Sequence, residues 1–284
     1  MADYPTEKYQ IRKAQDEAQI EQAFLKGEKD PDIGVYCNVF SAKCGEGQDG
    51  GVVTTLLVTG LEKGMFDGVI VVQRKAGYCA EAVVAKNKSE IIAARGTKYV
   101  RAQVTPKLRE LIAQGSKRIA IVCTPCEVLA ARKIQQTLKN KCEITIVGLF
   151  CFEAFNASKL KQEVKAHLGV DLDKAEKNQI RHGKFTAVID GKEVSCKVKD
   201  LHEAAEKACR YCDDFTSRLA DVSVGSVGSK KGYSTVIVRS EAGEKLVEVL
   251  DCVRETVDKE EVIRLSKFKT QRAKNSFSNL NNRQ

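Results

Sequence analysis

The stretch "KACRYCDDFTSRLADVSVGSVGSKKGYST", residues 207–235, sets a Cys-x-x-Cys pair, Cys209 and Cys212, just before a loop of Gly and Ser. Thiols three positions apart can face one metal ion or cluster. The loop offers small residues, backbone N–H groups, hydroxyls and lysines, which suit a bound phosphate. Two more thiols end buried strands. "RIAIVCTPC" runs to Cys126 and "ITIVGLFC" to Cys151, with the helical segment "EVLAARKIQQTLKN" between them. Such a β-α-β unit makes the strands parallel, so both carboxyl ends reach the sheet edge where ligands bind in open α/β proteins. Cys126 follows Pro125 at a helix N-terminus, a position that favours thiolate, the ligating form. With Cys209 and Cys212 this makes four thiolates, enough for one zinc ion or one iron–sulfur cluster.

A small zinc module is the poorer fit. Cys123 and Cys126 form a second Cys-x-x-Cys, but the gap to Cys209 far exceeds the roughly 15–20 residues of such a unit. Cys123 also lies inside its strand, where side chains alternate between faces. The other cysteines, Cys37, Cys44, Cys79, Cys123, Cys142, Cys196 and Cys252, are scattered and read as small buried hydrophobes. His167, His182 and His202 are not spaced as ligands.

The elements that position these groups belong to a globular chain, with 43% hydrophobic residues spread evenly along 284. No apolar run reaches the roughly 18 residues of a membrane span, and the N-terminus lacks a signal-peptide core. The reading is a cytoplasmic protein, in which disulfides are not expected and clustered cysteines mean metal or redox chemistry. A net charge of +9 raises nucleic acid as a partner. Lys and Arg alternate with Glu and Asp, as in "SKLKQEVKAHL", and no RNA-binding signature or helix-turn-helix is present, so anionic small ligands fit better.

The expected fold is mixed α/β, a β-α-β core sheet with cofactor sites at strand carboxyl ends and an N-terminal helical arm. Three parts are expected: an arm over 1–33, a central domain over 34–240, and C-terminal helices and a basic tail over 241–284, the tail frayed or ordered by a partner. "GGVVTTLLVTGLEKGMF" reads as a helix and "DGVIVVQR" as a strand. "TPKLRELIAQG" reads as a helix capped by Thr105, "NASKLKQEVKAHLG" and "AGEKLVEVLDCV" as helices, and "RHGKFTAVIDGKEVSCKV" as a hairpin. Besides the loop after Cys212, "GEGQDGGVVTT" runs a Gly-rich turn into a helix N-terminus, and "ARGTKY" gathers Arg95, Thr97 and Lys98. Three such places fit a large, multiply anionic cofactor.

The blocks "GQDGGVVTTLL", "ARGTKY", "CTPCEVLAARK", "GLFCFEAF", "HGKF" and "CRYCDDFTSRLADVSVGSVGSKKGYSTVIVR", in this order over residues 41–239, resemble the beta subunit of coenzyme F420-reducing hydrogenase and its relatives. The resemblance implies a subunit that binds FAD and one [4Fe–4S] cluster and exchanges a hydride with coenzyme F420. Single electrons would pass to or from a partner redox subunit, a hydrogenase, a formate dehydrogenase or a heterodisulfide reductase. Its cluster ligands fall on Cys126, Cys151, Cys209 and Cys212. Its flavin contacts fall on Asp49, Gly50, Gly51 and Thr54, on Thr97, Lys98 and Tyr99, on Lys184, and on Ser223, Gly225, Ser226, Val227, Gly228 and Ser229. Positive charge for the phosphates is expected around Arg74, Lys75, Arg95, Lys98, Lys184, Lys230 and Lys231. Glu127 stands where the family often has Gln, and a carboxylate there would lower the cluster's potential. The alternatives are a related flavin/iron–sulfur reductase with a different substrate, or a zinc-stabilised binding module.

Overall fold

The computed structural model describes residues 7–45, 49–138 and 141–281. The elements, in chain order, are α1 (Glu7–Phe24), β1 (Glu28–Asp30), β2 (Gly34–Tyr36), β3 (Asn38–Lys43), α2 (Val52–Glu62), β4 (Gly68–Lys75), β5 (Cys79–Ala85), α3 (Lys88–Ala93), α4 (Thr105–Ala113), β6 (Arg118–Cys123), α5 (Pro125–Thr137), β7 (Glu143–Leu149), α6 (Ala157–Leu168), β8 (Lys177–Arg181), β9 (Lys184–Ile189), β10 (Lys192–Lys197), β11 (Val222–Gly225), β12 (Ser234–Val238), α7 (Glu241–Glu248), β13 (Val253–Glu255) and α8 (Lys259–Asn281). Eight strands form the main sheet in the order β13-β3-β12-β11-β7-β6-β4-β5. β4, β6, β7 and β11 are parallel, while β12 and β13 run opposite to β3 and β5 opposite to β4. The carboxyl ends of β3, β4, β6, β7 and β11 therefore share one edge.

The fold class is the mixed α/β architecture expected. β6 is buried from Ile119 to Cys123, as a parallel strand covered on both faces must be. One face packs on α2, α3 and α7 through Leu56, Leu57, Ile91 and Leu246. The other packs on α1, α4 and α5 through Ile20, Leu108, Leu111 and Val128. A buried ion pair, Arg132 to Asp221 at 2.9 Å, ties α5 to the loop before β11. Arg239, with no solvent exposure, donates to the carbonyls of Ile33, Val35 and Thr216 and to Ser223 Oγ.

Five local expectations are corrected. The hairpin is a three-stranded antiparallel meander, β8-β9-β10, because a second two-residue turn, Asp190-Gly191, follows the one at His182-Gly183. Thr105 lies inside α4, whose N-cap is Val104; Glu127 reaches over from α5 to accept from the Val104 and Thr105 N–H groups at 3.3 and 3.1 Å. The helix read through to Val253 stops at Glu248, and Val253 enters β13. The tail, expected to be frayed or ordered by a partner, is instead ordered within the chain through Asn281 as part of α8, 23 residues long, with Val262, Ser266, Lys269 and Ala273 buried on one face at helical spacing. Residues 282–284 of that tail lie outside the described residues.

The fifth correction concerns Cys44 and Cys252, read as separate buried hydrophobes. They form a disulfide with their Cα atoms 4.3 Å apart, across a separation of 208 residues. β13 pairs with β3 so that Val253 opposes Lys43, which places Cys252 opposite Cys44. A three-residue strand carries too weak a pattern for that register to be foreseen.

Candidate functional site

The four chosen thiols come from three segments that meet at the carboxyl edge. β6 ends at Cys123, and Cys126 sits in the first turn of α5. β7 ends at Leu149, and Cys151 follows, its N–H donating to the Phe215 carbonyl at 2.9 Å. Cys209 lies in a 3₁₀ turn, Lys207–Tyr211, with Cys212 just beyond it. Three residues per 3₁₀ turn bring positions i and i+3 to the same side, which aligns this pair. The chain after Cys151 folds around Cys209: the Ala154 N–H donates to its sulfur at 3.5 Å and the Glu206 N–H donates to the Ala154 carbonyl at 2.8 Å.

Each of the four thiols feels the charge of the other three. Burial raises the thiol pKa of Cys126 and Cys209, and pushes that of Cys151 up to about 12, with the neighbouring sulfurs adding to the effect. Cys126 sits at the helix N-terminus as expected, and there burial raises its thiol pKa against the lowering effect of the Thr124 hydroxyl. A thiol site of this kind loses its protons when metal binds. Among the described residues, no three His, Cys, Asp or Glu side chains converge as the ligands of a single ion.

Two cations from α8 brace the thiol loops. Lys269, 1% exposed, donates to the carbonyls of Cys151 and Asp214 at 2.5 and 2.7 Å. Burial lowers its pKa, but the facing Cys212, Cys151 and Asp214 outweigh it and leave the pKa raised. Arg272 donates to the carbonyls of Phe152 and Cys209 at 2.9 and 3.1 Å, pairs with Glu153 at 2.8 Å and lies over the Phe152 ring. From the other side α1 delivers Lys13, which pairs with Asp213, itself 3.2 Å from Arg218.

The glycine turns meet at the tip of the β8-β9 hairpin. Gln179 Nε2 donates to Asp49 at 3.4 Å, the Ile180 N–H to the Tyr99 hydroxyl at 2.7 Å, and Arg181 Nη2 to the Ser229 carbonyl at 3.2 Å. β8 thus touches the 49–51 turn, the 97–99 segment and the loop after β11. Lys184 is exposed and opposite Arg181 in the register. Arg181 Nη1 is buried without a hydrogen-bond partner, and Asp49 Oδ1 stands 3.7 Å away. Burial raises the Asp49 pKa despite the opposing Arg181.

Several candidates serve the protein directly. Ser223 is fully buried, accepting from Arg239 and donating to the Ser217 carbonyl. A Cβ on Gly225 would stand 2.2 Å from the Phe150 ring, and one on Gly50 would stand 2.2 Å from the Ala42 carbonyl oxygen. Gly228 has φ +84° and its N–H donates to Glu261 of α8 at 3.0 Å. Ser229 and Thr235 share a hydroxyl hydrogen bond, the Thr235 hydroxyl donates to the Val227 carbonyl, and Ser226 and Thr54 are half-buried beside their turns. Gly51 caps α2 in the left-handed region at φ 69°, and Thr97 is exposed.

Four of the positive charges expected for the phosphates are engaged within the protein. Arg74 donates to the carbonyls of Leu172, Asp173 and Ala175, Lys75 pairs with Glu81, and Lys230 pairs with Glu255. Lys98 donates to the carbonyls that end α3, and burial lowers its pKa to about 8. Arg95 and Lys231 are exposed.

The family of coenzyme F420 hydrogenase/dehydrogenase beta subunits matches this chain twice: its C-terminal region matches residues 116–261, and its N-terminal region matches residues 39–109. The chain belongs to this family. Residues 116–261 contain all four thiols, the β8-β9 tip and the loop after β11. The coenzyme F420 hydrogenase subunit beta of Methanosarcina barkeri is 34% identical over 82% of this chain and 86% of its own length. That of Methanothermobacter thermautotrophicus is 32% identical over 76% of this chain and 81% of its own. The coenzyme F420-dependent sulfite reductase of Methanocaldococcus jannaschii is 34% identical over 81% of this chain, which spans 38% of that longer protein. In three dimensions the chain resembles one from the F420-reducing [NiFe] hydrogenase complex of Methanosarcina barkeri, with TM-score 0.82, 28% identity and coverage of 88% and 94% of the two chains. The relatives named here are oxidoreductases or their subunits, and the mixed α/β fold is the family's.

Sequence reasoning missed Lys269, Arg272 and Arg181. Arg181 opens "RHGKF" and could have been found there. The i, i+3 pair of α8 was hidden in a segment read as tail.

Proposed function

We propose that this family member is an FAD- and [4Fe–4S]-bearing electron-transfer subunit. It exchanges a hydride with coenzyme F420 and passes single electrons to or from a partner redox subunit, a hydrogenase, a formate dehydrogenase or a heterodisulfide reductase. The observation that carries this reading is the meeting of Cys126, Cys151, Cys209 and Cys212, each within electrostatic reach of the other three. The sequence gap from Cys126 to Cys209 far exceeds that of a small zinc module, and four thiolates can each hold a different iron of one cluster. The donor set therefore fits a multi-iron cluster better than a zinc module.

Arg181 Nη1, buried without a hydrogen bond and 3.7 Å from Asp49 Oδ1, stands between the 49–51 turn and the loop after β11 and fits the phosphates of a dinucleotide. Asp49, Gly50, Gly51 and Thr54, the 97–99 segment, Lys184, and Ser226, Val227 and Ser229 would line that site, with Ser223, Gly225 and Gly228 shaping the loop from behind. When bound, the flavin converts between a two-electron hydride and single electrons, and the cluster carries one electron at a time. The chain's own task is placement. The 12 residues between Cys212 and Gly225 hold both sites on one sheet edge, and Lys269 and Arg272 clamp the thiol loops. Among the described residues no helix is long and apolar enough to cross a membrane.

The deciding experiment is an absorbance spectrum of anaerobically purified protein before and after reduced F420. Flavin bands over a broad iron–sulfur shoulder, both bleached by reduced F420, are expected. Colour without a response removes F420 as substrate and leaves a related flavin/iron–sulfur reductase. A colourless, zinc-containing protein overturns the reading.

A further inference from the structure

We propose that Lys269 is the resident counter-cation of the four-thiolate site, a positioning residue that ties two ligand loops together and raises the reduction potential of the cluster they hold. This rests on the reading of the four cysteines as cluster ligands.

Burying an ammonium is costly unless negative charge faces it. Lys269 is 1% exposed, and its hydrogen bonds go to the carbonyls of Cys151 and Asp214. Among the described residues no carboxylate lies within ion-pair distance of it. The Asp214 carboxylate instead accepts from the Arg218 backbone N–H at 3.0 Å. Arg272, one turn further along α8, differs in having Glu153 as its own anion at 2.8 Å. Glu127, the acid nearest in sequence to Cys126, is held by the N–H groups that open α4. The charge of Lys269 acts on Cys126, Cys151, Cys209 and Cys212 together. A cation placed this way, with no carboxylate in ion-pair contact, is matched chiefly by the facing Cys212 and Cys151 sulfurs, with Asp214 adding to them.

The geometry also explains why the cation comes from α8. The two carbonyls it holds belong to the segment after β7 and the segment after Cys212, which also meet through the Cys151 N–H to Phe215 carbonyl hydrogen bond. One ammonium fixes both loops and opposes the charge they carry. An added electron makes a thiolate cluster more negative, so a fixed nearby cation favours the reduced form.

The test uses the full chain, reconstituted anaerobically with iron and sulfide, as wild type, Lys269→Met and Lys269→Arg. Each is equilibrated with viologen dyes of known potential; a dye gives one electron, the cluster takes it, and no bond or proton moves. The readouts are iron content and the reduced fraction by electron paramagnetic resonance. Lys269→Met is expected to keep its iron while its reduced-to-oxidised ratio falls about tenfold at a given dye potential, and Lys269→Arg to stay within about threefold of wild type. A loaded Lys269→Met with an unchanged ratio overturns the proposal, as does an equal fall in Lys269→Arg. If Lys269→Met takes up no iron, Lys269→Arg decides: iron and a ratio near wild type support the charge role, and loss of iron there too refutes it. A wild type that takes up no iron–sulfur refutes the cluster reading itself, a result distinct from all of these.

Discussion

The cysteine end and the glycine-turn end of the sheet edge are built on opposite plans. At the cysteine end side chains dominate: four thiols gather on one edge, and Lys269 and Arg272 brace their loops from α8. At the glycine end backbone shape dominates, and most polar groups are occupied by the protein, Ser223 with Arg239 and Gly228 with Glu261. A thiol ligand needs a particular atom, so residue type alone marks it. A phosphate cradle needs N–H groups and close approach, which glycine also supplies to ordinary packing. Small residues in a loop are accordingly weaker evidence of a ligand than paired cysteines.

The largest expected effect separates ligand thiols from the rest. Cys209→Ser should abolish the iron–sulfur absorbance of the reconstituted chain, whereas Cys196→Ser, in β10, should leave it intact. Equal behaviour would dissolve the distinction between the two ends. Next comes the disulfide on the glycine side. Closing a loop of 208 residues should stabilise the chain by about 2–4 kcal/mol. Urea unfolding of the Cys44→Ser/Cys252→Ser variant should show that loss, with dithiothreitol lowering the wild type toward it and leaving the variant unchanged.

Legibility in the sequence follows the same division. The parallel β6-α5-β7 unit is readable because a strand covered on both faces is an unbroken apolar run, and from it the proximity of Cys126 and Cys151 follows. Cys209 and Cys212 need only their spacing. By contrast, β13 is three residues long and α8 is rich in Lys, Ser and Asn, so neither the disulfide nor the Lys269 brace stands out. Both depend on long-range packing. The charges mislead for a related reason: Arg74 looks free in the sequence because its partners are carbonyls of residues 172–175, which no local pattern connects to it. The motif "HGKF" points to Lys184, whereas the buried, unbonded nitrogen belongs to Arg181.

A smaller effect tests whether the glycines serve packing. A Cβ at position 225 would stand 2.2 Å from Phe150, so Gly225→Ala should cost about 1–3 kcal/mol in urea unfolding. Phe150→Ala in the same background should recover part of it, because it removes the ring's Cγ and Cδ2, both 2.2 Å from that Cβ. No recovery would mean that the glycine is needed for its backbone alone.

The finest contrast lies between two aspartates, one at each end. Asp213, adjacent to Cys212, is subject to burial that would raise its pKa, yet Lys13 and Arg218 outweigh it and hold the carboxyl at about 2. Asp49, in the glycine turn, has its pKa raised, because burial there exceeds what Arg181 and Lys177 provide. Linkage gives these opposite signs. The Asp213 contribution is present above the ordinary carboxylate pKa of about 4 and is lost as pH falls toward 2. Ionised Asp49 opposes folding above its raised pKa, and that penalty disappears as acid protonates it. Asp213→Asn should therefore cost about 1 kcal/mol at pH 7, a figure reduced for its partial exposure, with the gap to wild type closing as pH approaches 2. Asp49→Asn should stabilise by a few tenths of a kcal/mol at pH 7 and change nothing in acid. Urea unfolding of both variants at pH 7 and pH 3 checks this. Shifts of the same sign at pH 7 would show that the two ends do not differ in how they balance buried charge.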